Sequence, residues 1–193
     1  EDDKYVKLAR QAGYRSRASY KLLEINEKYS LLKPGSVVVD LGAAPGGWLQ
    51  VVVNMIGTKG KVVGLDLLEI EPVAGASFIR GDFTENEPLE QLLAELEDRP
   101  VDLVLSDMAP NLSGMSDIDQ PKSVYLIELA LEFSETVLKK GGNLVTKCFE
   151  GAGIESLRTE FRQRFGRVSN FKPKASRDRS REIYIIGQSY SRR

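Results

Sequence analysis

A glycine-rich segment between an apolar strand and an apolar helix constrains the fold of this chain more than any other feature. Residues Val37–Val39 are all β-branched, which favours a buried strand. Asp40 follows, and the loop Gly42–Gly47 then leads into an apolar stretch with helical spacing. Glycines let the backbone approach a ligand where a Cβ would collide. A strand, a tight loop and a helix N-terminus in this order are typical of the ligand-binding corner of a doubly wound α/β fold.

Predicted strands and helices alternate along the rest of the chain. Strands are expected at 36–41, 61–66, 77–81, 101–106, 142–148, 167–171 and 182–189. Helices are expected at 16–29, 46–56, 88–97, 121–138 and 154–165. This alternation predicts an α/β, Rossmann-like fold with a mostly parallel seven-stranded sheet, helices on both faces and an antiparallel last strand. We expect one domain over residues 1–193, with a basic helical segment, residues 1–30, packed on it.

Most of the predicted strands end in a polar residue, and these residues should meet at one edge of the sheet. They are Asp40, Asp66, Asp82, Asp107 and Lys147. Ligands of such sheets bind outside the carboxyl ends of the strands, at the point where the strand order reverses. One acid at a strand end is an ordinary cap, but four acids and a lysine around one crevice indicate a site.

Two nucleotide cofactors compete for this crevice. The spacing of Gly42, Ala44 and Gly47 only approximates the dinucleotide fingerprint. Asp66 follows Gly47 by 19 residues, where an acid accepts hydrogen bonds from ribose hydroxyls of either NAD or S-adenosylmethionine. Carboxylates around the pocket would repel the pyrophosphate of NAD and attract the sulfonium and ammonium of S-adenosylmethionine. The charge pattern therefore favours S-adenosylmethionine.

Composition limits the chemistry that is available. The sequence has no histidine, which excludes Ser-His-Asp and Cys-His catalysis and histidine-ligated metals. Proton transfer must use lysine, carboxylate, tyrosine or the single cysteine, Cys148, which also favours a reducing compartment. No apolar run approaches the ~20 residues that span a bilayer, and the N-terminus does not resemble a signal peptide. Because the sequence begins with Glu1 rather than methionine, we expect further residues before it in the full protein.

The charges are segregated although the formal net charge is only −1. Residues 64–106 hold eleven acids and two bases, whereas the two ends of the chain are basic. This segregation predicts one face that binds a polyanion, although solvated basic helix faces would look the same. The residues predicted to contact the polyanion are Lys4, Lys7, Arg10, Arg15, Arg17, Lys172, Lys174, Arg177, Arg179 and Arg181.

Seven segments together resemble the RrmJ/FtsJ family of RNA ribose 2′-O-methyltransferases over nearly the whole chain. They are Arg15–Leu22, Asp40–Trp48, Asp66–Leu68, Gly81–Phe83, Ser106–Asn111, Lys147–Phe149 and Ser176–Tyr184. By motif position, the resemblance implies a catalytic tetrad of Lys21, Asp107, Lys147 and Glu182. It implies S-adenosylmethionine contacts at Gly46, Trp48, Asp66, Asp82 and Asp107, to which the loop pattern adds Gly42 and Gly47. The loop and strand-four motifs are similar to the bacterial and mitochondrial branch, which methylates a uridine of large-subunit ribosomal RNA.

The resemblance also sets expectations about partners and location. We expect ribosomal RNA as the substrate, within the large ribosomal subunit. We expect a monomer without a metal or a membrane, located in the cytoplasm or, in a eukaryote, in the mitochondrial matrix.

The tetrad also makes chemical sense by itself. A ribose 2′-hydroxyl is too weak an acid to attack a methyl sulfonium unaided, so a base must take its proton. Lys147 can do so only as a neutral amine, and a second cation such as Lys21 disfavours the charged form. Asp107 and Glu182 would orient these groups. Because the sulfonium is already activated, no metal is needed, and alignment of the reacting atoms supplies much of the rate.

Two other function classes stay open at this stage. The first is an NAD-dependent oxidoreductase, which the acidic crevice and the absence of histidine disfavour. The second is a non-catalytic RNA-binding assembly factor that keeps a relict fold, which the intact tetrad disfavours. Single tetrad residues also have ordinary interpretations, since Lys21 could simply pair with Glu24 on its own helix.

Overall fold

The computed structural model describes residues 3–191 of the chain. The helices are α1 (Lys4–Ala12), α2 (Ser19–Tyr29), α3 (Gly47–Ile56), α4 (Asn86–Leu96), α5 (Ser116–Val137) and α6 (Ile154–Arg164). The strands are β1 (Val37–Leu41), β2 (Lys61–Asp66), β3 (Ser77–Arg80), β4 (Val101–Ser106), β5 (Leu138–Phe149), β6 (Phe165–Phe171) and β7 (Glu182–Tyr190). Within these residues, no helix is both long and apolar enough to cross a membrane.

The seven strands form one sheet in the order β3-β2-β1-β4-β5-β7-β6. Only β7 runs antiparallel to its neighbours, β5 and β6, and the other pairs are parallel. This confirms the predicted mostly parallel sheet with an antiparallel last strand. The strand order reverses between β1 and β4, so the carboxyl ends of these two strands border the crevice where such folds bind ligands.

Helices cover both faces of the sheet, as predicted. Because side chains alternate along a strand, neighbouring residues of β1 enter different apolar clusters. Val38 packs in the cluster that contains Leu22 of α2 and Leu49 of α3. Val39 packs in the other cluster, which contains side chains of α4, α5 and α6 such as Phe161. The glycine loop and α3 therefore lie on the face that α2 also covers.

The basic N-terminal segment forms two helices rather than one. The predicted helix 16–29 begins at Ser19, and α1 precedes it as a separate helix. Gly13 ends α1 in the left-handed region, with φ of 79°, which favours glycine and stops the helix. Leu22 and Ile25 of α2 are buried against α3 and the sheet. Residues 1 and 2 of the predicted segment lie outside the described residues.

Two predicted boundaries around α5 were wrong. The helix was expected to start at Pro121. The helix instead begins at Ser116, because the Asp119 carboxylate accepts hydrogen bonds from the Ser113 and Gly114 N–H groups at 2.8 and 3.1 Å and builds the preceding turn. At its other end α5 passes directly into β5, which starts at Leu138 rather than at 142.

A glycine and an aromatic ring lie very close together in the antiparallel part of the sheet, and this contact leads to the first prediction. A Cβ at Gly187 of β7 would lie 2.7 Å from the buried Phe165 ring. Gly187→Ala must therefore displace the ring or the strand, and we expect it to lower the free energy of unfolding by about 1–3 kcal/mol in urea denaturation. Gly166→Ala is the matched control, since the nearest atom to its Cβ would be Ser189 Cβ at an ordinary 3.4 Å. Equal losses in both variants would contradict the steric explanation.

Candidate active site

Two ion pairs at the carboxyl edge of the sheet bring the four predicted tetrad residues together. Lys147 Nζ on β5 lies 3.3 Å from Asp107 Oδ1, directly after β4. Lys21 Nζ on α2 lies 2.6 Å from Glu182 Oε1, at the start of β7. Because β7 is antiparallel, its first residue pairs with Phe149 at the end of β5 and so reaches the same edge. The four side chains are only 11–19% exposed, so each pair is largely shielded from water.

A tyrosine that sequence reasoning did not assign to the site joins the two pairs. The Tyr184 hydroxyl lies 2.8 Å from Asp107 Oδ1 and 3.3 Å from Glu182 Oε1. A hydroxyl has one proton to donate, and the shorter contact directs it to Asp107. Tyr184 is fully buried, and its ring centroid lies 5.8 Å from that of Trp48. The sequence does contain one clue to this role, because Tyr184 lies two residues after Glu182 and its side chain is therefore on the same face of the strand.

The two carboxylates of the tetrad differ in acidity. Burial raises the pKa of Asp107 and outweighs the opposing effects of Lys147, Tyr184 and Lys21. Burial also acts on Glu182, but the hydrogen bond and charge of Lys21, together with Lys147 and Tyr184, hold the pKa of Glu182 below its usual range. Glu182 is therefore the more firmly ionised of the two carboxylates.

A cavity of about 520 Å³ opens beside the tetrad. Gly42, Asp66, Asp82 and Asp107 of the predicted cofactor residues line it, together with Lys147. Gly42 has a φ of 78°, and a Cβ there would lie 3.0 Å from the backbone nitrogen of Met108, in the segment after β4. Both the backbone conformation and the available space therefore require glycine at this position.

Backbone N–H groups orient the two acids on the far side of the cavity. The Asp66 carboxylate accepts hydrogen bonds from the Ala44 and Leu68 N–H groups, both at 2.9 Å. Asp82 Oδ1 accepts from the Thr84 hydroxyl and N–H at 2.7 and 2.8 Å, and these bonds lower the pKa of Asp82. Carboxylate oxygens have two lone pairs each, so both acids can still accept hydrogen bonds from a ligand.

The remaining predicted cofactor residues, Gly46, Gly47 and Trp48, are not among the residues that line the cavity. A Cβ at Gly47 would lie 2.6 Å from Ser19 Oγ, so this glycine permits close packing of α3 on α2. Trp48 is buried and donates its indole N–H to the Ala18 carbonyl at 2.8 Å. These contacts join α3 to the N-terminal segment, and a cofactor contact for the three residues stays a prediction.

A buried carboxyl group lies next to the cavity without a partner. Asp40 is 0% exposed, and neither of its oxygens has a hydrogen-bond partner among residues 3–191. Burial, and then the charges of Asp107 and Asp66, raise the pKa of Asp40 well above its usual value. A cavity surrounded by these acids suits a cationic ligand.

Some of the predicted RNA-binding side chains are used inside the protein. The Arg15 guanidinium donates to the carbonyls of Pro45 and Pro72 at 3.2 and 2.6 Å, and so connects the glycine loop to the loop after β2. Arg17 donates to the Ala175 carbonyl at 2.7 Å. A phosphate would have to compete with these contacts, so any RNA contact by either arginine stays a prediction.

The other predicted RNA-binding residues are exposed. They are Lys4, Lys7, Arg10, Lys172, Lys174, Arg177, Arg179 and Arg181. Among them, Lys172 donates its ammonium to the Ser180 and Glu182 carbonyls, which leaves it only partly available. Arg179 and Arg181 border adjoining cavities at the N-terminal end of α5, close to the start of β7.

Comparison with known proteins identifies the family. The family profile described as FtsJ-like methyltransferase matches residues 14–190. This chain belongs to that family. The assignment confirms the predicted resemblance and decides against the NAD-dependent oxidoreductase, because the family is one of methyltransferases. Helix α1 lies before the matched residues.

Individual relatives agree with this FtsJ-like assignment. The "Ribosomal RNA large subunit methyltransferase E" of Chromohalobacter salexigens is 53% identical over 189 residues, which is 98% of this chain and 90% of that protein. The protein of the same name from Neisseria meningitidis serogroup C is 52% identical, over 97% of this chain and 91% of that protein. A crystal structure of a Plasmodium falciparum protein described as a ribosomal RNA methyltransferase superposes with a TM-score of 0.81. It is 32% identical and covers 93% of this chain and all of that one.

The Lys21–Glu182 pair generates a prediction about the FtsJ-like site. Lys21→Met leaves Glu182 buried without its main partner, so the pKa of Glu182 should rise and the free energy of unfolding at neutral pH should fall by about 3–5 kcal/mol. Denaturant unfolding measures the loss, and carboxyl NMR titration measures the pKa. Adding Glu182→Gln to Lys21→Met removes the uncompensated charge and should restore most of the stability. A double variant as unstable as Lys21→Met would show that packing rather than charge causes the loss.

Proposed function

We propose that the protein transfers the methyl group of S-adenosylmethionine to a ribose 2′-hydroxyl, that of a uridine, in large-subunit ribosomal RNA. The observation that carries the proposal is the position of Lys147, which belongs to the tetrad and also lines the acid-rich cavity. A base next to a cofactor cavity is the arrangement that methylation of a weakly acidic hydroxyl needs. The names of the bacterial relatives support ribosomal RNA as the substrate.

The cavity fits S-adenosylmethionine by charge and by hydrogen bonding. Asp66 and Asp82 offer oriented carboxylates for hydroxyl or amine donors of the ligand. Asp40 is a further acid beside the cavity, and it can ionise when a cation binds there. Among residues 3–191, Lys147 is the cationic side chain that pairs with an acid of the cavity. When bound, S-adenosylmethionine supplies a methyl group on a positively charged sulfur. Gly42 lets the glycine loop pack closely against Asp107 and Met108, which line the same cavity.

The tetrad divides the remaining work between two lysines. Lys147, in its neutral amine form, takes the proton of the 2′-hydroxyl and becomes an ammonium, and Asp107 orients it with help from the Tyr184 hydroxyl. Lys21 stays paired with the ionised Glu182 and provides positive charge that stabilises the developing negative charge on the oxygen. Burial of both pairs strengthens these interactions, because little water screens them.

We further propose that residues 1–193 act as one methyltransferase domain, as a monomer, on RNA held by the exposed basic residues. The site of action would be the compartment where large ribosomal subunits assemble, the bacterial cytoplasm or the mitochondrial matrix. Phosphate contacts position RNA without reading bases, so selectivity would come from the shape of the folded RNA.

Replacement of the proposed base tests the function. Lys147→Ala should lower methyl transfer from labelled S-adenosylmethionine to ribosomal RNA by orders of magnitude while cofactor affinity is kept, because the base acts in the chemical step. Lys147→Arg should fail as well, since a guanidinium does not lose its proton near neutral pH. Lys140→Ala changes an exposed lysine of the same strand and should retain activity. Near-normal turnover in Lys147→Arg would exclude the general-base role, and an inactive wild type would favour the non-catalytic assembly factor.

Salt dependence distinguishes basic residues that contact RNA from those used inside the protein. Arg179→Ala should weaken RNA binding and reduce the slope of log affinity against log salt by about 0.7–0.9. Arg15→Ala should lower thermal stability instead and leave that slope nearly unchanged, because its guanidinium bonds to backbone carbonyls. A reduced slope in Arg15→Ala with an unchanged one in Arg179→Ala would place the RNA elsewhere. The measurement is RNA affinity at several salt concentrations for both variants.

A further inference from the structure

Asp40 lies beside the proposed cofactor site, and its carboxyl group forms no hydrogen bond with any group among residues 3–191. Its side chain is fully buried, and both carboxyl oxygens lack a hydrogen-bond partner there. Burial of a polar group without a partner costs free energy, and burial of an unpaired charge costs far more. Such a carboxyl group is stable only if it carries a proton or if a cation comes close to it.

The strand register shows where the Asp40 side chain lies. Asp40 pairs with Gly64 of β2 and Leu105 of β4, and paired residues of parallel strands point to the same face. A Cβ at Gly64 would lie 3.0 Å from Leu49 of α3. Asp40 therefore points to the face that α3 covers, two residues before Gly42, which lines the cavity.

The charged groups at this end of the sheet do not neutralise Asp40. Asp66 and Asp107 carry the same sign of charge, and α3 contains no charged residue. The two lysines of the site are each paired with another carboxylate. The titratable groups that the neighbouring elements contribute are Asp66 on β2, Asp107 after β4, Lys147 on β5, Glu182 and Tyr184 on β7, and Lys21 on α2. A cation that compensates Asp40 must therefore come from a ligand.

We propose that Asp40 carries a proton while the cavity holds no cationic ligand, and that it releases this proton to solvent when S-adenosylmethionine binds. The proposal rests on the proposed function, which places a ligand with a sulfonium and an ammonium group in the cavity. The O–H bond of Asp40 breaks, a buffer molecule takes the proton, and the carboxylate that remains compensates the positive charge of the ligand. Nearby positive charge favours the ionised form of an acid, which is the physical cause of the release.

This coupling makes cofactor binding depend on pH and on ligand charge. A ligand that releases a proton on binding is bound more tightly as the pH rises. Neutral nucleosides of similar shape do not cause Asp40 to ionise, so their affinity should not rise with pH in this way. Asp40 does not itself line the cavity, but its ionisation thus depends on the charge of the ligand bound there.

Calorimetric titration of wild type with S-adenosylmethionine, in buffers of different ionisation enthalpy, counts the protons released. We expect release of up to one proton and an affinity that rises by up to about tenfold per pH unit below the pKa of Asp40 in the free protein. Asp40→Asn keeps the shape without the proton, so its binding should show neither effect. Asp102→Asn is the matched control, because Asp102 accepts the Val37 N–H at the opposite end of β1 and does not line the cavity, and it should keep the release. The neutral probe 5′-methylthioadenosine should bind to wild type without proton release.

The outcomes separate this proposal from the proposed function. Wild type that binds S-adenosylmethionine without proton release overturns the proposal, as does unchanged release in Asp40→Asn or equal release with 5′-methylthioadenosine. Wild type that does not bind S-adenosylmethionine at all contradicts the proposed function instead. If Asp40→Asn does not fold, infrared difference spectroscopy of wild type decides. Addition of S-adenosylmethionine should remove the C=O band of a protonated carboxyl group, and an unchanged band overturns the proposal.

Discussion

The ion pair between Lys21 and Glu182 is the contact on which the rest of the site depends. It joins α2 to the start of β7 across 161 positions of sequence. The same junction is reinforced by Glu24, whose carboxylate accepts hydrogen bonds from the Lys174 and Ala175 N–H groups at 2.8 and 2.9 Å. The tetrad is therefore assembled only when the N-terminal segment, the sheet and the loop before β7 are packed together. Movement of α2 away from the sheet would separate the two lysines.

Charge is distributed differently in the two halves of the site. In the tetrad, each carboxylate has a lysine within 3.3 Å, so the group is close to neutral as a whole. Around the cavity, Asp66 and Asp82 are oriented by backbone or hydroxyl donors, and Asp40 has no partner in residues 3–191. Side chains of the protein thus neutralise the charges of the proposed catalytic groups, whereas the acids around the cavity are left for a ligand to neutralise. A cationic cofactor suits such a cavity.

Basic residues near this site have two different uses that the sequence alone does not separate. Arg15 and Arg17 bond to backbone carbonyls and hold loops in place, whereas Arg179 and Arg181 are exposed beside the N-terminal end of α5. In the sequence, both kinds of basic residue appear simply as clusters of positive charge. Geometry distinguishes them, because a guanidinium that already donates to carbonyls has fewer donors left for phosphate.

The resemblance to the FtsJ-like family supplied the four predicted tetrad residues. Local patterns in the sequence determined the strand–loop–helix corner, the strand–helix alternation and the antiparallel last strand. These features depend on side-chain periodicity and on short spacings, which a sequence displays directly. Tertiary structure decided that the helix expected at 16–29 would be preceded by α1, that Tyr184 would join Asp107 to Glu182, and that Trp48 would be buried against Ala18. It also left Asp40 without a partner. Such outcomes depend on which groups from distant parts of the chain come within about 3 Å of each other. Those distances are set only when the whole sheet and its helices pack together.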